Sequence, residues 1–242
     1  MDDAVLAAIQ RWPDVPAVSG WLSLDQRGRW RLHPNGDADQ GAPGESITSP
    51  AILAFIDRNY ARDNDGSWFF QNGPQRVYVR LDAAPYILRV NQDGSGLQTH
   101  TGLAIKRIST WWLDEDGRLY ADTDAGPGML DGRDMPRVLD ALFLADGEPA
   151  LESLAALPLQ GKLEVSYRPD LAPAPSTDAA DGAADAGAPG VAGVAGVAGV
   201  AGVAGVAGMA ETADGNETSD MAIVTHATRA HIAQALGYTP GR

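Results

Sequence analysis

Four times in the first half of the chain an Asp or Asn stands three residues ahead of a Gly, between apolar segments: Asp25–Gly28, Asp63–Gly66, Asn91–Gly94 and Asp114–Gly117. In such a turn the first side chain caps backbone amides and the Gly takes positive φ. Each turn reverses the chain, so the pattern predicts hairpins and limits how much helix the chain can hold. It pairs Trp21–Leu24 with Trp30–Leu32, Tyr86–Val90 with Gly96–His100, and Thr110–Leu113 with Arg118–Ala121. The segment before Gly66 reads as helical, so that turn is expected to join a helix to a strand. Trp68–Gln71 and Arg76–Leu81 form a further pair, where Val77, Val79 and Leu81 alternate with Arg76, Tyr78 and Arg80 at the period of a half-buried strand. Lys162–Tyr167 reads as a last strand, and Gly126-Pro127-Gly128 as a loop.

Helices are expected at residues 3–11, from Ser49-Pro50 onward, and from Asp134 to Phe143. Pro50 suits a first helical position, and Ile52, Leu53, Phe55, Ile56 and Tyr60 supply that helix with an apolar face. The fold class that follows is α+β: antiparallel hairpins forming one or two small sheets, covered by about three helices.

Composition breaks near residue 170. All six Trp precede residue 113, whereas six Val-Ala-Gly triplets fill residues 191–208. Gly at every third position costs about 1 kcal/mol each in a helix and leaves too little side chain to offset chain entropy. Three parts are therefore expected: a folded domain at 1–169, a disordered Ala/Gly/Asp and Val-Ala-Gly linker at 170–219, and a short C-terminal helix at 220–242. For that helix Asp220 is the expected N-cap, Val224, Thr228, Ile232 and Leu236 form a stripe, and Gly237 with Pro240 ends it.

The chain carries 32 acidic and 18 basic side chains, a net charge of −14, which argues against nucleic-acid or anionic-membrane partners. Its lack of cysteine excludes a disulfide framework, thiolate zinc sites and a cysteine nucleophile. Met1 to Val5 lacks the basic head and apolar run of a secretory leader, so a cytoplasmic setting is expected. No cofactor and no metal site is expected. The loop Asp63–Gly66 fails as a calcium loop because Ala61 and Asn72 would hold positions that need carboxylates.

The densest polar–aromatic stretch is Gln71-Asn72-Gly73-Pro74-Gln75-Arg76. Pro74 would stand where an Asn-Gly turn needs an amide, so a more open loop held by side-chain amides is expected. Gln71, Asn72, Gln75 and Arg76 could recognise a small polar ligand or a protein partner, with Arg76 as anchor. The same groups also suit internal bonding of the loop's own backbone. Asn59 and Tyr60, at a helix end, and His100 complete the candidate set. His100 would be a general base if a carboxylate such as Asp114 or Asp122 approached it. A non-catalytic cytoplasmic binding or interaction module, with 71–76 as its polar–aromatic recognition loop, is the function these residues favour. A hydrolase using His100, and a scaffold that presents its terminal helix through the tail, are the alternatives.

Gly20-Trp21-Leu22-Ser23-Leu24-Asp25-Gln26-Arg27-Gly28-Arg29-Trp30, Phe55–Tyr60, Trp68-Phe69-Phe70-Gln71-Asn72-Gly73-Pro74-Gln75-Arg76-Val77-Tyr78-Val79, Thr99–Gly102 and Trp112–Leu119 together carry a resemblance. The chain resembles a group of proteobacterial, mainly betaproteobacterial, proteins known only as a domain of unknown function, over roughly residues 10–145. The resemblance implies a shared cytoplasmic domain and brings no activity with it. The Val-Ala-Gly tract lies outside these blocks.

Overall fold

All four predicted turns close as their residues require. In the computed structural model, which describes residues 1–171 and 221–241, the amides of Gly28, Gly66, Gly94 and Gly117 each donate to the carbonyl three residues earlier, at 2.9–3.2 Å. The four glycines have φ between 71° and 89°, where other residues are strained. Asp25, Asp63 and Asp114 also accept, through Oδ1, the amide two residues on at 2.9–3.0 Å.

In chain order the elements begin with α1 (Asp3–Arg11), β1 (Val18–Leu24), β2 (Trp30–Leu32), β3 (Glu45–Ser46) and α2 (Pro50–Arg58). Next come β4 (Tyr60–Arg62), β5 (Trp68–Asn72), β6 (Gln75–Leu81), β7 (Tyr86–Val90) and β8 (Leu97–Thr99). These are followed by β9 (Ile108–Leu113), β10 (Leu119–Thr123), β11 (Gly126–Leu130), α3 (Met135–Asp140) and β12 (Leu142–Phe143). The last are α4 (Leu151–Ala155), β13 (Lys162–Tyr167), β14 (Met221–His226) and α5 (Arg229–Leu236). The class is α+β, with sheet one ordered β3-β2-β1-β6-β5-β4 and sheet two β12-β13-β14-β9-β10-β11-β7-β8. Hairpins are spliced side by side through parallel joins at β1–β6, β11–β7 and β14–β9. Among the described residues there are five α-helices, four of them within 1–169 where about three were expected, and α4 is the one without an expected counterpart.

Several local expectations are corrected. The segment before Gly66 is strand, not helix: Tyr60 and Arg62 stand opposite Phe70 and Trp68. Asn59 ends α2 first, its Nδ2 donating back to the Phe55 carbonyl at 2.9 Å. The 71–76 loop is tight rather than open, because Asn72 pairs directly with Gln75 and only Gly73 and Pro74 form the bend. This register, one residue from the one expected, puts Pro74 where no amide is needed and Gly73, at φ 57°, at the position that favours positive φ. Gly126–Gly128 is strand as well, running between β10 and β7; a Cβ on Gly128 would meet the Leu88 side chain at 2.7 Å. The helix expected from Asp134 to Phe143 stops at Asp140, and Leu142–Phe143 pairs with β13.

The C-terminal segment is a strand followed by a helix, not one helix. Buried Ala222 and Val224 alternate with exposed Met221 and Ile223, the period of a strand, and β14 fills the place between β13 and β9. The four-residue stripe crosses the boundary: Val224 lies in the strand, Thr228 is the N-cap accepting from the His231 amide, and Ile232 and Leu236 are buried in α5. The terminal segment thus belongs to the same compact unit as the preceding strands. The expected linker at 170–219 lies outside the described residues beyond Leu171, as does Asp220. Among the described residues, no helix is long and apolar enough to cross a membrane.

An aromatic knot joins the two sheets. Tyr60 lies 5.0 Å from both Trp30 and Trp68, and Tyr86 of sheet two meets Trp68 at 5.2 Å. Their edge-to-face and tilted geometries add to the hydrophobic gain of burying large rings.

Candidate functional site

Sheet one also carries an apolar surface that is left open. Val77 of β6 is in register with Phe70 of β5 and Val18 of β1, and farther along β1 Leu22 is in register with Leu32 of β2. These five side chains floor a cleft of about 690 Å³. Its other wall is Ile47, Thr48 and Ser49, with Ile52 and Ile56 of α2. The α2 helix starts here because Pro50 fixes the first helical φ.

A break in the register of β1 between Val18 and Leu22 adds Trp21 to the same cleft. Gly20 makes the break, with φ at +82°, and a Cβ there would stand 2.4 Å from the Gly36 carbonyl oxygen. Trp21 is left 45 % exposed, Leu32 43 % and Ile52 50 %. Polar groups of Glu45, Ser46, Asn72 and Gln75 complete the lining.

Of the residues singled out from sequence, only Asn72 and Gln75 line this cleft. Gln75 also reaches the Pro16 carbonyl, at 3.4 Å. Gln71 is buried, and its Nε2 donates to the Gly73 carbonyl at 2.9 Å, bracing its own hairpin. Arg76 lies away from the cleft, its guanidinium 4.0 Å from the Phe69 ring centre and 3.4 Å from Asp63. Asn59, also buried, accepts the Asp2 amide at 2.8 Å and so ties α1 to the end of α2. The buried Tyr60 hydroxyl donates to the Pro85 carbonyl at 3.0 Å, and burial pushes its pKa well up.

His100 is held in the aromatic knot, 5.6 Å from Trp30 and 5.9 Å from Tyr86. Its Nδ1 accepts the Ile87 amide at 3.2 Å, and its Nε2 is buried without a partner. Burial first, and the nearby positive charge of Arg89 second, pull its pKa from 6.5 down to about 3. The ring is therefore neutral at ordinary pH. Asp114, one carboxylate expected to orient it, is instead engaged by the Tyr120 hydroxyl at 3.2 Å and by Arg229 at 3.5 Å. Among the described residues no hydrogen bond joins the ring to Asp114 or Asp122, and burial lowers its basicity, so the structure does not assemble the His100–carboxylate pair that the hydrolase reading needs. Among the described residues, no group of three or more potential metal ligands occurs together.

The residues that sequence reasoning missed are Trp21, Leu32, Ile47, Ile52 and Glu45. One signal was available: Trp21 is out of phase with Leu22 and Leu24, so a regular strand cannot bury all three. Ile52 was expected on the buried face of its helix, and nothing in the helical period says that this end of the face stays uncovered.

A family model described as "Protein of unknown function (DUF2946)" matches residues 1–174. No curated protein matches the chain. Two crystal structures of DUF1285 family proteins are similar to it. One, from Silicibacter pomeroyi DSS-3, has 19 % identity and a TM-score of 0.38, over 61 % of this chain and 88 % of that one. The other, from Shewanella baltica OS155, has 19 % identity and a TM-score of 0.33, over 48 % and 87 %. Scores at this level bear on neither chemistry nor partners.

Proposed function

Since the chain belongs to the family described as Protein of unknown function (DUF2946), whose name carries no activity, we propose from the geometry alone that it is a non-catalytic binding module for a small, largely apolar molecule. The observation that carries this reading is the open cleft of about 690 Å³ with Trp21, Leu32 and Ile52 about half exposed along it. Its volume falls within the range of small-molecule pockets, and its makeup, apolar walls with a few polar groups at the edge, is what such pockets share. Covering three half-exposed side chains would contribute roughly 3 kcal/mol from the protein's side alone. Asn72 and Gln75 then act as neutral hydrogen-bonding groups at the rim, not as parts of a polar pocket anchored by Arg76. A cytoplasmic setting is part of the same proposal, since the cysteine-free chain draws nothing from an oxidising compartment.

Nile red, a neutral apolar dye, tests it. Saturable binding with a blue-shifted, brightened emission is expected for the full chain. Ile52→Asp should abolish it without unfolding the protein, because a carboxylate in the first turn of α2 suits the helix amino end. Absence of saturable binding to the unmodified chain, or binding that survives Ile52→Asp undiminished, would sink the reading.

A further inference from the structure

We infer that the occupant of this cleft carries a cationic, amine-type head, taken up by Glu45 and the face of Trp21. This rests on the preceding reading that the cleft is a binding site. Glu45 is the one ionisable side chain among the lining residues, and neither Lys, Arg nor His lines the cleft. It lies exposed in β3, the edge strand of sheet one, so its carboxylate is available at the rim. An indole face attracts a cation through its quadrupole, more strongly than the ring of Phe or Tyr does, and Trp21 is 45 % exposed on the same cleft. Asn72 and Gln75 add amide carbonyls that can accept from an ammonium N–H.

One feature opposes a cation. Ser49, at the amino end of α2, also lines the cleft, and a helix amino end carries about half a positive charge that fades within a turn. Glu45 presents a full negative charge, and the chain's net charge of −14 favours the approach of cations over a longer range. The balance favours the cation. A fatty-acid-like anion, by contrast, would bring its carboxylate to a cleft whose sole charge is already negative.

Three probes with one apolar body separate the possibilities: octylammonium, 1-octanol and octanoate, each displacing Nile red from the full chain. Octylammonium should displace it at the lowest concentration, 1-octanol about tenfold less well and octanoate least of all. Added salt should narrow the gap between the ammonium and the alcohol, and Glu45→Gln should narrow it likewise. If ammonium and alcohol compete equally, if octanoate is tightest, or if Glu45→Gln leaves the gap intact, the head-group assignment is wrong while the cleft remains a binding site. If Nile red itself does not bind, the site and the head group fall together.

Discussion

Trp21 and Trp30 occupy neighbouring strands of one sheet, yet one is 45 % exposed and the other 2 %. Residue type does not separate them; what covers them does. Trp30 is closed over by Tyr60 at 5.0 Å and His100 at 5.6 Å, and its Nε1 donates to Asp57 of α2 at 2.9 Å. Trp21 lines the cleft together with Ser49 and Ile52 at the start of α2 and is left half in water. The same strands therefore contribute to stability at one end and leave an unfilled surface at the other. This contrast is what makes the open end a binding candidate: leaving large apolar groups in water is unfavourable, and the covered end has the same kinds of group packed away.

The largest expected effect tests the covered end. Trp30→Ala should destabilise the chain by about 3–5 kcal/mol in urea unfolding, the range for removing a buried ring without full collapse of the space. It also leaves Asp57, whose pKa is raised by burial despite the Trp30 hydrogen bond, without that donor. A cost below about 1 kcal/mol would mean that the knot is loosely packed, and the contrast between the two ends would disappear.

A somewhat smaller effect comes from pH. An unfolded chain takes up a proton on His100 near pH 6.5, whereas the native ring does so only near 3. The native state thus holds fewer protons across that interval, so the His100 contribution is complete above about pH 6.5 and is lost as pH falls toward 3. Part of the residue reaches solvent, so the loss is set at roughly 3 kcal/mol rather than the full shift. His100→Gln should flatten that part of the stability profile relative to the unmodified chain. Parallel profiles for the two proteins would show that the ring is not held neutral in the core.

Much of sheet one was legible in the sequence, and the reason is local. Asp25–Gly28 and the alternation of Val77, Val79 and Leu81 fix turn and face from residues a few positions apart. What failed depended on distant partners. Met221–His226 became a strand because β13 and β9 leave a place for it, and a four-residue stripe cannot reveal that vacancy. The Gly73-Pro74 bend shows a subtler failure: the right residues were identified, but a one-residue shift of register changed which amide Pro74 had to supply. For the site, the four polar residues at 71–76 were conspicuous in sequence, yet two of them, Gln71 and Arg76, serve their own hairpin or the opposite face. The cleft is built mainly from ordinary apolar residues whose exposure only the assembled sheet determines.

The smallest expected effect is the most discriminating. Trp21→Ala removes a ring that is already half in water, so it should cost about 1 kcal/mol or less, against several for Trp30→Ala in the same assay. Nile red affinity should nevertheless fall several-fold, because the same ring forms part of the cleft wall. Stability and binding should therefore move in opposite proportions at the two tryptophans. If Trp21→Ala destabilises as strongly as Trp30→Ala, the ring is part of the core and its exposure has no functional meaning. If it leaves both stability and dye binding unchanged, the cleft offers no grip at that wall, and the open end of the sheet is merely uncovered rather than built for a ligand.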